Sequence, residues 1–394
     1  MDKESIVKLD KDYIAQFYGR MELAPISGKN ATVVNADGRE YVDFTSGIGV
    51  NSLGIADEGW INAVTDQLKK IQHISNYYYS EQTGLLAEKL VKASGMKRAF
   101  FCNSGAEANE GAIKTARKYS FDKYGEGRNR IICLTNSFHG RTLTTLAATG
   151  QDVFHQFFFP FTEGFDFVPI NDIEALNNAI NSSVCAIMCE PIQGESGVNP
   201  LSPEYAKEIK KLCSENDLLL IFDEVQTGIG RTGRMFAFQH LDVTPDICSL
   251  AKGLGGGLPV GAVLLGERCE CTLAPGQHGT TFGGNPAVAA GANAVMERVA
   301  EPEFLKSVLD KGEYIRAAVS SWGLDTVVEV RGAGLMVGVQ VRCSHKEVAK
   351  KCLENGLMIL TAGKDVVRML PPLTINYDEI DRGLEILHGV LRSM

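Results

Sequence analysis

The residues of this chain best placed to do chemistry are two carboxylates and a lysine. Asp223 and Glu224 follow directly on the apolar run Leu218–Phe222, which reads as a buried strand. Lys252 stands between the short apolar piece Ile247–Ala251 and a glycine-rich turn. In open α/β sheets chemistry sits just past the carboxyl ends of the strands, so an acid and a lysine at two strand ends can share one cleft. A buried strand does not normally end on an inward carboxylate unless something cationic meets it. A lysine held in a dry cleft loses its proton more easily and becomes a nucleophile able to form a Schiff base.

A carboxylate beside a Schiff-base lysine suggests pyridoxal phosphate, whose ring nitrogen needs an anionic partner to stay a good electron sink. Taken singly, each residue has a plain structural reading: Asp223-Glu224 as a helix start or solvated loop, Lys252 as a surface lysine. A third feature joins them. Ala99–Cys102 is strand-like and runs into Asn103-Ser104-Gly105 and a helix from Ala106 to about Tyr119. Ser104 with Glu107 is a capping-box pair, which by itself explains a well-capped helix. The small Gly105 and Ala106 would also let a phosphate approach the N–H groups of the helix start. Gly228–Gly233 matches the dinucleotide-binding spacing, but two carboxylates precede it and no amphipathic helix follows, so this pattern is set aside. It would otherwise mark a nicotinamide-linked oxidoreductase. A non-catalytic member of a cofactor-binding fold would usually lack the lysine or the aspartate.

Positioning such residues takes an alternation of strands and helices. Ile131–Leu134, Val184–Cys189 and Leu218–Phe222 read as strands, and Pro203–Ser214 as an amphipathic helix. Their spacing implies a mostly parallel sheet with helices on both faces. Four strands then end in polar clusters, at 103–105, 136–141, 190–195 and 223–226. Ahead of them, residues 1–30 form a polar arm and Ala31–Phe44 a hairpin turning at Asp37-Gly38. Ser46–Gly54 is too glycine-rich for a regular element, and helices are expected over Trp60–Ile71 and Leu85–Ala93. After Gly279–Pro286 come helices Ala287–Val299 and Phe304–Ser320. Strands Val327–Val330, Leu335–Val341 and Val366–Leu370 and helices Lys346–Asn355 and Asp378–Leu391 complete the chain. Three regions follow: an arm and hairpin (1–50) belonging to a small domain, a large domain (51–284) and a C-terminal α+β domain (285–394).

Composition narrows the function. The 394 residues have room for two domains with ample core. A net charge of −9 with no basic run argues against nucleic acid. No segment has the apolar length to cross a bilayer, and Met1–Ser5 lacks the apolar core of a signal peptide. The ten cysteines are scattered, several in apolar runs (Cys133, Cys185, Cys189, Cys248), as expected of reduced thiols in a cytoplasmic protein. Cysteine and histidine spacings match no metal site, so none is expected.

The motifs resemble the class III aminotransferases of fold type I over nearly the whole chain, most nearly the branch acting on acetylornithine. The resemblance implies that fold, a large domain with a mostly parallel sheet flanked by helices plus a smaller α+β domain. It implies pyridoxal phosphate held by Lys252 as a Schiff base, with Asp223 on the ring nitrogen, Gln226 on the ring hydroxyl and Phe138 stacked on the ring. Gly105 and Ala106 would take the phosphate, with Ser104 supporting that turn. Glu224 and Val225 complete the cofactor-contacting run. Thr281 would reach the phosphate of the neighbouring subunit, giving a homodimer with shared sites.

On the substrate side, the resemblance implies that Arg141 holds the α-carboxylate of acetylornithine or the distal carboxylate of glutamate. Arg368 would hold the α-carboxylate of glutamate, with Glu195 pairing with it when the long donor binds, and Thr280 would line the acetylornithine end. Lys252 would be the general base, with 2-oxoglutarate as second substrate. Ile48 stands where relatives acting on free ornithine carry a tyrosine, which disfavours that donor. An acylated donor fits better, and succinylated amines, ornithine or 4-aminobutyrate are the alternatives. Gly54–Asp57 replaces a histidine-containing segment common in the family.

Overall fold

The computed structural model describes residues 1–394. Its centre is a seven-stranded sheet: β1 (Arg98–Cys102), β2 (Arg130–Leu134), β3 (Phe165–Val168), β4 (Val184–Cys189), β5 (Leu219–Asp223), β6 (Ile247–Leu250) and β7 (Gly261–Leu265). The spatial order is β1-β7-β6-β5-β4-β2-β3. Pairing is parallel from β6 through to β3, whereas β7 runs antiparallel to both neighbours. Sequence reasoning reached β1, β2, β4, β5 and β6 but assigned neither β3 nor the reversed β7. Phe-Asp-Phe-Val and Gly-Ala-Val-Leu-Leu are four and five residues long, too short to carry a clear periodicity.

β4 and β5 are buried along their whole length, as strands covered on both faces must be. One cover is the Gly105–Tyr124 helix, which buries Ala108, Ala112 and Ala116 against Ile131, Ile221 and Val263. Small residues on that face let the helix sit close, and replacing Ala112 by leucine would overpack it. Opposite, the Pro203–Glu215 helix starts with Ser202 capping Tyr205 N and Pro203 in the first turn, then buries Tyr205, Ile209 and Leu212. Each such aliphatic side chain contributes about 1.5–3 kcal/mol on burial.

A second, antiparallel sheet is made of Val327–Ala333, Met336–Val341, Val366–Met369 and Leu360–Ala362. The hairpin Thr32–Asn35/Glu40–Asp43 gains a strand on each side: Pro25–Lys29, from what reads as arm, and Leu357–Met358, which pairs parallel with Glu40–Asp43. The start of the chain thus shares a sheet with its C-terminal region. The remaining arm holds a helix, Lys3–Tyr13, with no buried residue.

Ser46–Gly49 forms one left-handed turn, with φ of 41°, 63°, 67° and 75° along the four residues. Left-handed backbone is costly for a β-branched residue such as Ile48, and bonds from Gly49 N to Thr45 O (2.9 Å) and Val50 N to Ser46 O (2.8 Å) hold it. The Gly54–Asp57 departure has a local role: Asn30 and Ile55 exchange two 2.9 Å backbone bonds, and Asp57 caps the Glu58–Leu68 helix. No helix is long and apolar enough to cross a membrane.

Candidate active site

The segments that follow β1, β2, β4, β5 and β6 close on one cavity of about 440 Å³, completed by Gly257–Val260 just before β7. Its wall brings together Ser104, Gly105, Ala106, Phe138, Arg141, Glu195, Asp223, Val225, Gln226 and Lys252. Convergence follows from parallel strands: each delivers the loop after its carboxyl end to the same edge.

Asp223 is almost fully buried. Its Oδ2 accepts from Asn109 Nδ2 at 2.7 Å and faces His139 Nδ1 at 2.8 Å, while Oδ1 accepts from Val225 N at 3.0 Å. Asn109 Nδ2 also donates to His139 O (2.7 Å), so three groups lock one carboxylate. Sequence reasoning missed Asn109 and His139. His139 sits between the flagged Phe138 and Arg141, but only the fold sets it against a residue 84 positions on.

Lys252 follows β6 with its backbone at φ 41°, a left-handed conformation that costs a non-glycine residue energy and aims its side chain into the cavity wall. Its amine makes no hydrogen bond or ion pair with any residue of the chain. Burial lowers its pKa from the ordinary lysine value, opposed by the charges of Glu195, Asp223 and Glu190 and reinforced by Arg368. Burial likewise raises Glu190, a further cavity carboxyl whose Oε2 accepts from Phe138 N at 3.2 Å. A readily neutralised lysine beside an anchored aspartate is an arrangement suited to amine chemistry.

At the other end the cavity meets the first turn of the Gly105–Tyr124 helix. Ser104 caps Glu107 N, and the N–H groups of Gly105 and Ala106 have no acceptor within the chain. A side chain on Gly105 would strike Val225, its Cβ lying 2.7 Å from Val225 Cγ1. The result is a bare, partly positive helix end, the site type that holds phosphate. Phosphate cradle, aromatic Phe138, anionic Asp223 and free Lys252 in one cavity fit pyridoxal phosphate. Arg141, exposed and without a carboxylate partner, stacks over Phe154 at 4.0 Å and Phe138 at 5.4 Å.

Arg368 lies just behind the wall and is 2% exposed. Its Nη1 and Nη2 donate to Glu195 at 2.8 and 3.2 Å. Gln226 joins the pair, donating from Nε2 to Glu195 (3.0 Å) and accepting from Arg368 Nη1 (2.9 Å). Burial pushes Glu195 up, but the charge and hydrogen bonds of Arg368 outweigh it and hold the carboxyl below the usual range.

Three expected site residues stand elsewhere. The Glu224 side chain turns away from the cavity, accepting from Phe238 N (2.7 Å), Ala237 N (2.9 Å) and Thr227 Oγ1 (2.7 Å). Successive side chains in extended backbone point to opposite sides, so with Asp223 facing in, Glu224 faces out. Thr280 and Thr281 line a second cleft of about 970 Å³, shared with Tyr77–Tyr79. Asn103 bridges the two spaces, donating to Thr280 Oγ1 at 3.1 Å. Ile48 does not line the cavity, whereas Val50 does.

Comparison with known proteins adds the family. The model of the class-III aminotransferases matches residues 13–391. An acetylornithine aminotransferase of Haemophilus ducreyi is 52% identical over 397 aligned positions, covering all of both chains. Among solved structures, the ornithine aminotransferase of Toxoplasma gondii ME49 superposes with a TM-score of 0.95 at 32% identity, covering 100% of this chain and 96% of that one. The acetylornithine aminotransferase of Elizabethkingia anophelis superposes with a TM-score of 0.89 at 30% identity, with both chains fully covered.

Proposed function

The chain belongs to the class-III aminotransferases, and on that premise we propose that its cavity transfers the terminal amino group of N2-acetylornithine to 2-oxoglutarate, yielding N-acetylglutamate 5-semialdehyde and glutamate. The enzyme is pyridoxal-phosphate dependent. The observation that carries the substrate reading is the contrast between two arginines, Arg141 open and Arg368 closed on Glu195. Such a site suits two substrates that present carboxylates at different places.

When bound, pyridoxal phosphate supplies an electrophilic carbon for the amine and a ring that absorbs the charge left by deprotonation. Gly105 and Ala106 would hold its phosphate, Phe138 its ring face and Asp223 its ring nitrogen. Asn109 and His139 keep Asp223 oriented, and burial strengthens its field. Lys252 Nζ takes the proton from the amine-bearing carbon as general base, a role suited to an amine whose burial lowers its proton affinity. Arg141 would grip the donor's carboxylate while Glu195 neutralises Arg368, so no unpaired cation faces the acetylated arm. With glutamate, Glu195 would release Arg368, whose two-pronged guanidinium matches an α-carboxylate.

Two copies would pair, each lending Thr281 to the other's phosphate and Thr280 to its substrate end. Their place in a separate cleft, with Tyr77 (94%), Tyr79 (104%) and Phe157 (79%) exposed, supports that reading. The visible spectrum of the purified protein, with N-acetylornithine added and no oxo acid, tests the proposal. Loss of the cofactor band with acetylornithine, but scarcely with ornithine or 4-aminobutyrate, is expected. A response to ornithine alone would replace the substrate, and no band after adding pyridoxal phosphate would remove Lys252 from its role.

A further inference from the structure

The Gly228–Gly233 segment plays no part in the chemistry above, yet it holds Arg231, a guanidinium 2% exposed with no carboxylate at ion-pair distance. We propose that Arg231 is a positioning residue for the dicarboxylate half of the reaction: it clamps the strand that carries Arg368. The inference rests on the assignment of Arg368 to glutamate and 2-oxoglutarate.

The contacts are specific. Arg231 Nη1 donates to Leu335 O at 3.0 Å and to Pro371 O at 2.5 Å. Its Nη2 reaches Ser46 Oγ at 3.4 Å, and that hydroxyl donates to Leu370 O at 2.6 Å. Leu335 precedes the strand Met336–Val341, and Leu370 and Pro371 follow the strand Val366–Met369. These strands are antiparallel, with Val337 opposite Met369 and Gly338 opposite Arg368, so Leu335 and Pro371 come together at one end of the ladder. Pro371 has no N–H, and strand pairing cannot continue there. A single guanidinium closes the pair instead.

The seat is rigid. Leu335 N donates back to Arg231 O at 3.0 Å. Gly334, at φ 50°, approaches so closely that a Cβ would lie 2.7 Å from Arg231 O and 2.5 Å from Thr232 C. Gly230 and Gly233 press against Val299 and Leu309 in the same way. Ser46 is set by Asp43, whose Oδ1 accepts from Ser46 N at 2.9 Å.

Five residues before Arg231, Gln226 bonds both Arg368 and Glu195. The loop therefore grips this strand twice, at the Arg368 side chain through Gln226 and at the following backbone through Arg231. Losing the second grip frees Arg368 to drift while leaving Arg141, Lys252 and the phosphate cradle in place. The predicted damage falls on one substrate.

The test measures each half-reaction separately, from the cofactor absorbance in single turnovers, in the pyridoxal-phosphate-loaded wild type and in Arg231→Lys. Lysine keeps the charge but cannot span the opposed carbonyls and Ser46 together. The expected result is about a ten-fold weaker apparent affinity for glutamate and 2-oxoglutarate, with the acetylornithine half-reaction within about two-fold of wild type. Equal losses in both halves, or none, would overturn the proposal. Ser46→Ala, which removes only the hydroxyl, decides the matter should Arg231→Lys not fold: the same one-sided loss, about two- to five-fold, is expected, and an even loss or none refutes the clamp. The wild-type control separates the two claims, since a failure of wild type to react with acetylornithine or glutamate would strike the substrate reading itself.

Discussion

Arg368 and Glu195 face each other across the edge of the cavity through two hydrogen bonds, of 2.8 and 3.2 Å, with Gln226 bonded to both. They are 173 residues apart in sequence, Glu195 in the segment after β4 and Arg368 on the strand Val366–Met369. The arginine is nearly sealed from solvent, whereas the glutamate side chain is 28% exposed on the substrate side. Of the two, Glu195 is the more accessible.

Glu195→Gln should therefore separate the two substrates. With the carboxylate gone, Arg368 carries an uncompensated charge when the acetylated donor binds. The acetylornithine half-reaction should lose about ten- to a hundred-fold in kcat/KM, consistent with the cost of a buried unpaired charge. The glutamate half-reaction should hold or improve. Rapid-mixing absorbance with each substrate alone measures both; equal losses would show that Glu195 does not gate Arg368.

The same pair sets an acid limit on stability. The Glu195 carboxyl is held below its ordinary value of 4.5, so the folded state binds its proton less readily than the unfolded chain. That contribution is complete above about pH 4.5 and disappears as pH falls through the depressed value. Thermal unfolding of wild type and Glu195→Gln should differ by about 2–4 °C at pH 7, and the gap should close as pH falls through the depressed value. A gap that stays the same from pH 7 down to the acid end of the folded range would point to packing instead of charge.

His139→Phe keeps an aromatic ring but leaves Asp223 one hydrogen bond short. A buried carboxylate deprived of a donor loses about 1–3 kcal/mol. The variant should bind pyridoxal phosphate about ten-fold more weakly and turn over more slowly, by equilibrium dialysis and steady-state assay. Asn109→Ala should act in the same direction, as both donors meet the same oxygen.

Lys252→Ala should reduce transamination by at least about a thousand-fold, within the range for losing a general base that is also the nucleophile. Because the amine bonds to no other residue, the circular-dichroism spectrum should be unchanged. Substantial residual turnover would move the base elsewhere, with Glu190, another carboxyl lining the cavity, a candidate.

Sedimentation should show a species of twice the 42.7 kDa chain mass. Thr281→Val should weaken pyridoxal phosphate binding without changing that mass. A monomer with full activity would end the shared-site reading and leave the second cleft without a role.

Much of the chemistry was legible from the chain alone, for a physical reason. In a parallel sheet every strand delivers its following loop to one edge, so reading strand ends finds the active edge without knowing strand order. Asp223, Lys252, Ser104–Ala106 and the 138–141 and 190–195 loops were located that way. Left-handed Lys252, the turn at Ser46–Gly49, reversed β7 and missed β3 were not, because short segments carry little periodicity and their conformations depend on tertiary bonds. Folding alone decided which partners meet: His139 and Asn109 on Asp223, Gln226 between Glu195 and Arg368, Glu224 turned to Ala237 and Phe238, and Arg231 on the backbone beyond Arg368. Those pairs are separated by 13 to 173 residues, and no local propensity encodes an encounter over such distances. Residue types and strand ends determine what chemistry is available; tertiary packing determines which groups share it.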